Sequence, residues 1–343
     1  MAQALESAAA RCAGSSMMGC RVPAVSLVVI TRNHERYIDE ALDSVSRQTL
    51  KDFEVIVIDD CSSDGTVGRI RAWLDRTSLD ARLIANDQNL GICASRNRAQ
   101  RLCRGEFVAG LSGDDYYEPH KLERQYVFFK TLDRSVAAVF GKARIVNEAG
   151  EELGVWFEHS PDVPEGQIFD RLIRGNFLPA PTVMVRRSTI DEVGGYDESL
   201  FYEDYDMWLR IADRYEFRYL PDILVNYRWH DRSTSQSPAN RGRLNESRVR
   251  LLLRWYGRSS STNGIVIAHA WKAALMAFAA DRCLGQRALR RVYDARPSSW
   301  RRVTMLAALL PGAHAVAART FALLKHRHSR RKFSRGDNRL IVP

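Results

Sequence analysis

From residue 25 onward, short unbroken apolar runs alternate with stretches whose apolar positions recur every three or four residues, the pattern of strands alternating with amphipathic helices. Val25-Ser26-Leu27-Val28-Val29-Ile30 is nearly continuous and β-branched, which predicts a strand buried on both faces. Over Tyr37–Gln48, the spacing of Ile38, Ala41, Leu42 and Val45 predicts a helix. Phe53–Ile58 predicts a second buried strand, ending abruptly in Asp59-Asp60. Val67, Ile70 and Leu74 mark another helix, Arg82–Ala85 a short strand and Ile92–Cys103 a helix. Glu106–Leu111 is a fourth strand that again runs into acids, Gly113-Asp114-Asp115. Such alternation predicts an α/β fold with a parallel-type sheet.

After Asp115 the rhythm loosens. Ala137–Phe140, Thr182–Val185 and Phe217–Leu220 still read as strands and Tyr205–Asp213 as a helix. A polar stretch over 231–240 then precedes a region that reads as helical to the end. The organisation expected is a leader over 1–22, a catalytic domain over 23–240 and a basic helical region over 241–343.

The composition, 45% hydrophobic and 27% charged over 343 residues, is that of a globular protein. Six scattered cysteines form neither a disulfide framework nor a zinc-ligand pattern, which suits a reducing compartment. The formal charge of +10 is unevenly spread, because residues 282–335 carry fourteen Lys/Arg against one acid, Asp294. With the apolar positions Val303, Leu306, Leu309, Leu310 and Phe321 beside those cations, the segment is read as an interfacial element meeting an anionic membrane surface. The competing reading is a helical cap with a solvated tail. Nucleic acid is not expected as a partner, since no recognition motif accompanies the charge. The first 22 residues do not resemble a secretory signal. No run of about 18 uninterrupted apolar residues occurs, 265–280 coming nearest. The expected location is cytoplasmic, peripheral at the inner face of the plasma membrane.

Acids at the carboxyl ends of two strands of one sheet mark the edge where open α/β sheets bind ligands. Asp59-Asp60 or Asp64-Gly65-Thr66 alone could be ordinary turn and cap chemistry. Asp114-Asp115 would suit a hard divalent cation, Mn²⁺ or Mg²⁺, shared with phosphate oxygens. A third cluster, Glu203-Asp204-Tyr205-Asp206, stands at a helix entrance, where Asp206 is read as an acid favoured by the helix dipole.

Segments 25–66, Asn86 with Asn89-Leu90-Gly91 and Ser95-Arg96-Asn97, 111–123, 194–212 and Tyr227-Arg228-Trp229-His230 follow one another in an order that resembles family 2 glycosyltransferases of the GT-A fold. The resemblance runs over about 25–240. It implies a Rossmann-like, mostly parallel sheet flanked by helices, with a C-terminal helical extension. It also implies a donor pocket in which Asp60 and Asp59 contact the nucleobase and ribose, Thr31 and Asn33 line the same space, and Arg96 holds the base or diphosphate. The metal and diphosphate element maps to Asp114-Asp115. Ser112 stands where the usual first Asp would be, so ligation is expected chiefly from Asp115, with Asp114 toward the sugar or ribose. His230 maps to a late His that completes the metal shell in related enzymes. The paired acids map to Glu203-Asp204.

Transfer from a nucleotide sugar needs a cation for the departing diphosphate and a carboxylate for the acceptor proton. Asp204 is the expected base, with Glu203 orienting it or touching the acceptor. The expected activity is inverting, metal-dependent transfer of the hexosyltransferase type. The donor would be a nucleotide sugar, a UDP-sugar first, and the acceptor a glycan or lipid-linked oligosaccharide of surface polysaccharide synthesis. Two alternatives stand beside it: a silent GT-A module that binds nucleotide or glycan, and a sugar nucleotidyltransferase. The second would want a Gly-rich loop after the first strand, where this chain has Thr31-Arg-Asn-His-Glu-Arg36.

Overall fold

The computed structural model describes residues 22–298 except Pro161, Glu203, 231–232 and 234–236, together with Arg301 and Ala308. The proposed leader and most of the basic tail therefore lie outside the described residues. Four strands, β1 (Val25–Thr31), β2 (Phe53–Asp59), β3 (Asp80–Ala85) and β4 (Phe107–Ser112), pair in parallel in the order β3-β2-β1-β4. They are joined by α1 (Ile38–Ser46), α2 (Thr66–Arg76) and α3 (Ile92–Gln100). The unbroken apolar runs follow from burial on both faces. Leu27 and Val29 of β1 pack with α1 and α2, whereas Val28 and Ile30 join a second core on the α3 side. Fully burying one such side chain is worth about 1.5–3 kcal/mol.

The chain then passes through β5 (Tyr116–Tyr117), α4 (Lys121–Lys130), β6 (Val136–Val146), β7 (Glu152–Val155), α5 (Phe169–Leu172), β8 (Met184–Arg186), α6 (Arg187–Glu192), α7 (Asp204–Ala212) and β9 (Glu216–Arg228). β8 pairs antiparallel with both β4 and β6, while β9 runs parallel to β6 and carries β5 on its other side, extending the sheet as β4-β8-β6-β9-β5. β9 is longer than the periodicity predicts. It continues through Pro221-Asp222 because register shifts against β6 around Gly141 and Lys142 absorb the irregularity.

Three helices follow, α8 (Arg241–Leu253), α9 (Ser260–Ala280) and α10 (Arg282–Ala295). Ser259 caps α9 by accepting from the Thr262 N–H at 3.1 Å, and Asp281 ends that helix and caps the next through the Leu284 N–H at 2.8 Å. α9 is 21 residues long, longer than the 265–280 run suggests, and by length and composition is apolar enough to cross a membrane. Its Val266, Ile267, Ala270, Trp271 and Phe278 nevertheless belong to the same buried core as Val249 of α8, Leu289 of α10 and Met207 of α7. We therefore read it as a core helix. The core is continuous across residue 240.

Candidate active site

Parallel pairing places the carboxyl ends of β1, β2 and β4 along one edge, with Thr31 level with Asp59 and Ile30 level with Ser112. Asp60 follows β2 and is buried. Its Oδ1 accepts from Asn86 Nδ2 and from the Leu90 N–H, both at 2.8 Å, and its Oδ2 from the Gly91 N–H at 2.9 Å. Gly91 has φ +85°, a region L side chains avoid, and this delivers its N–H to the carboxylate. A carboxylate offers about four lone-pair positions, so this cage leaves room for one more donor. Asp59 accepts from the Ser62 N–H at 2.9 Å and the Ser62 hydroxyl at 2.5 Å. Asn33, at φ +55°, donates its N–H to Ser62 Oγ at 2.8 Å and accepts from the Ser63 N–H at 2.8 Å. Asn33 and Asp59 thus bind the loops after β1 and β2 together, beside Asp60.

Asp114 is buried just past β4. His230 Nε2 lies 3.0 Å from its Oδ2, His34 Nε2 lies 3.7 Å from the same oxygen, and Ser112 donates to Oδ1. Burial alone would raise this carboxyl, but the His34 imidazole and the hydrogen bonds from His230 and Ser112 pull it down to about 2. Thr31 is buried beside them, its hydroxyl 3.2 Å from His34 Nδ1. Asp115 faces another way. Its Oδ1 accepts from the Arg228 N–H at 2.8 Å, and burial together with the Asp114 charge pushes its carboxyl well above the usual range.

Arg228 locks this corner. Buried at the end of β9, its guanidinium donates to the Asp114 carbonyl at 3.0 Å, to the Asn147 and Glu148 carbonyls at 3.1 and 2.9 Å and to Glu40 at 2.5 Å. Of the two expected ligands, Asp114 meets the imidazoles, while Asp115 accepts from the Arg228 N–H at the end of β9, two residues before His230. Among the described residues, no three His, Cys, Asp or Glu side chains already form a coordination group. A divalent cation still fits the donor chemistry here, one carboxylate with imidazole nitrogens. His230 Nδ1 is buried and has no hydrogen-bond partner among the described residues.

Arg96 projects from α3 with its guanidinium on the bare face of Gly110 in β4. Asp204 begins α7, where Oδ2 accepts from Asn176 Nδ2 at 2.9 Å and Oδ1 from the Tyr205 N–H at 2.7 Å. Glu203 lies outside the described residues. The loop before α7 is docked on α3, since Asn97 donates to the Tyr196 carbonyl and to Glu198 and accepts from the Tyr196 N–H, each at 2.8 Å. Asp206 is buried and held by Arg210 at 2.8 Å and by Arg254, just past the end of α8, at 3.1 Å, a structural acid. Arg248 of α8 faces Tyr202, Tyr205 and Asp204. Burial disfavours its charge, but those three groups together hold its guanidinium above the ordinary range. Trp208 and Trp156 are core residues, whereas Trp229 is half-buried beside His230.

The structure therefore brings Thr31, Asp114 and His230 into one cluster and Asn33, Asp59 and Asp60 into its neighbour, while Asp204 is anchored by Asn176 and the Tyr205 N–H. Sequence reasoning missed His34, Asn176 and the arginines Arg228, Arg248 and Arg254. His34 had a signal, a histidine three residues past the end of a strand that contributes to the ligand edge, and Arg228 stood within the Tyr227-Arg228-Trp229-His230 segment.

The sequence profile of glycosyl transferase family 2 matches residues 26–194. The putative glycosyltransferase EpsE of Bacillus subtilis is 31% identical over 195 residues, covering 56% of this chain and 67% of that protein. The chain belongs to glycosyl transferase family 2. This glycosyltransferase is also similar to the O-antigen biosynthesis glycosyltransferase WbnJ of Escherichia coli, 29% identical over 219 residues with 62% and 82% of the two chains covered. Among solved structures it resembles Staphylococcus aureus TarS (residues 1–349, in complex with UDP-GlcNAc), with a TM-score of 0.59 and 19% identity over 89% of this chain and 92% of that one. The mannosyltransferase PcManGT of Pyrobaculum calidifontis, in complex with GDP-Man and Mn²⁺, aligns with a TM-score of 0.54 and 20% identity over 92% and 90%. The fold is thus GT-A, with helices appended at the C-terminal end.

Proposed function

We propose that this glycosyltransferase moves a sugar, with inversion, from a nucleoside diphosphate donor to a hydroxyl of a glycan or lipid-linked acceptor in surface polysaccharide synthesis. The observation that carries the reading is the preorganised acid set on one sheet edge, Asp60 in its cage and Asp114 under two imidazoles. Asp60 arrives with three donors already bound and one lone-pair position for a nucleoside N–H or O–H, so it binds without rearranging. Asp114 and His230 would hold a divalent cation, which neutralises charge on the departing diphosphate when bound. Arg96 supplies a fixed positive charge on the same side of β4. Asp204, steadied by Asn176 and the Tyr205 N–H, takes the proton from the attacking hydroxyl. The names of WbnJ and of the putative teichuronic acid biosynthesis glycosyltransferase TuaG of Bacillus subtilis support an acceptor of the cell-surface kind.

The test is a panel of nucleotide sugars, UDP-sugars first, incubated with Mn²⁺ or Mg²⁺ and acceptor glycans while nucleoside diphosphate release is followed, with NMR of the product anomer. Chelator-sensitive transfer with an inverted anomer is expected. Metal-independent transfer or a retained anomer would overturn the corresponding part of the reading.

A further inference from the structure

Asp114 Oδ2 is approached by two imidazoles, His230 Nε2 at 3.0 Å and His34 Nε2 at 3.7 Å. The second comes from the loop after β1, and several contacts fix it there. The His34 N–H donates to Thr66 Oγ1 at 2.9 Å, and its Nδ1 lies 3.2 Å from the Thr31 hydroxyl. Gly113 leaves room for both groups. A Cβ at that position would strike Thr31 Oγ1 and stand 2.8 Å from His34 Nδ1. With Nδ1–H donating to Thr31, the His34 ring turns an Nε2 lone pair toward Asp114, the arrangement by which an outer hydroxyl or carbonyl fixes the tautomer of a metal-ligating histidine. The His230 ring lies 5.2 Å from that of Tyr37.

We propose that His34 is a second imidazole ligand for the cation held by Asp114 and His230, with Thr31 as the residue that positions it, so that the site selects Mn²⁺ over Mg²⁺. Mg²⁺ demands oxygen ligands in a rigid octahedron, whereas borderline transition metals accept imidazole nitrogen. One carboxylate and two imidazoles make a nitrogen-rich set that favours the second class. The proposal rests on the reading of Asp114 as the metal-holding carboxylate.

The test uses the full-length protein with UDP as the probe and reads metal binding directly. Calorimetric titrations of Mn²⁺ and Mg²⁺ are paired with electron spin-echo spectroscopy of bound Mn²⁺, which counts coordinated ¹⁴N. Two nitrogen couplings are expected in the unaltered protein and one in His34→Gln. The same substitution is expected to weaken Mn²⁺ binding about 10–100-fold, the scale of a lost supporting interaction at a metal site, while Mg²⁺ binding changes far less. Thr31→Val is expected to keep both couplings but weaken Mn²⁺ to an intermediate degree, and His34→Asn provides a second variant should the first fold poorly. Unchanged couplings and affinity in both His34 variants would overturn the proposal. So would an equal loss of both metals together with weaker metal-free UDP binding, which would make His34 a diphosphate contact. Retention of metal binding by Asp114→Asn would instead bring down the underlying reading, and the proposal with it.

Discussion

Asp60 and Asp204, the candidate donor and acceptor carboxylates, are held in different ways. Asp60 is caged by main-chain N–H groups and an amide from the β3–α3 turn, all within 31 residues of it. Asp204 accepts from the side-chain amide of Asn176 and from the Tyr205 N–H, and Arg248 of α8 faces it, while Arg254, just past α8, bonds Asp206 and Asp197. One carboxylate is held by the turn of a repeating β/α unit, the other by an amide 28 residues earlier in the chain, the Tyr205 N–H and the charge of Arg248 on an appended helix. Backbone donors are fixed by the fold itself, whereas side-chain donors can be exchanged without altering the sheet. The Asp60 cage is thereby the more firmly set by the fold, and the surroundings of Asp204 are the more open to substitution.

This contrast can be broken experimentally. The largest effect is expected from Asp204→Asn, which should lower kcat about 10²–10⁴-fold, the scale of a lost general base, while UDP affinity from calorimetry stays within about twofold. A matching loss of UDP affinity would merge the two sites. Asp60→Asn should do the reverse: one cage N–H would then face an amide donor, and nucleotide affinity should fall about 10–100-fold through loss of a charge-assisted contact worth about 1.5–3 kcal/mol. Arg254→Ala should cost about 1 kcal/mol in urea denaturation, discounted because the arginine is partly exposed, and should lower kcat more than it raises the KM for donor.

The smallest effect concerns Lys121, fully buried in α4, hydrogen-bonded to Gln125 at 2.8 Å and 4.2 Å from the Tyr117 ring centre. Burial pushes its ammonium down to about 7, outweighing the favourable ring contact. In the unfolded chain it titrates near its ordinary value, about 10.4, so between these two values the unfolded state binds the extra proton. Stability from this group therefore rises with pH through that window, and its penalty is fully present below it. Lys121→Met should raise the urea midpoint at pH 6 and do less at pH 9. An equal shift at both would mean the lysine keeps its proton in the folded protein up to pH 9, so that burial has not lowered it.

How much of this was legible depended on how local each feature is. β1, β2 and β4 read directly as apolar runs because both faces of each are buried, and Asp59, Asp60 and Asp114 stood out because a strand end fixes the edge they occupy, whereas Thr31 came from the resemblance alone. β9 was cut short at Leu220, since Pro221-Asp222 is turn chemistry; the structure instead passes it as an irregularity against β6 and runs on to Arg228. That extension is what brings His230 to Asp114, a meeting across 116 residues that no local rule contains. Likewise, nothing in the periodicity of α8 told that Arg248 would face Asp204 or that Arg254, just past its end, would bond Asp206. The two-residue β5 carries too short a pattern to register at all.

The strand order has a consequence for synthesis. β4 emerges early, yet its free edge is closed only by Met184–Arg186, far later in the chain. At roughly 5–20 residues per second, translation leaves that edge open for several seconds. During this interval Phe107–Ser112 is an apolar strand with unpaired N–H and C=O groups, a template for pairing with another nascent copy. The antiparallel strand that joins the two halves of the sheet thus also closes the open edge of β4, while the far edge of β6 waits for β9.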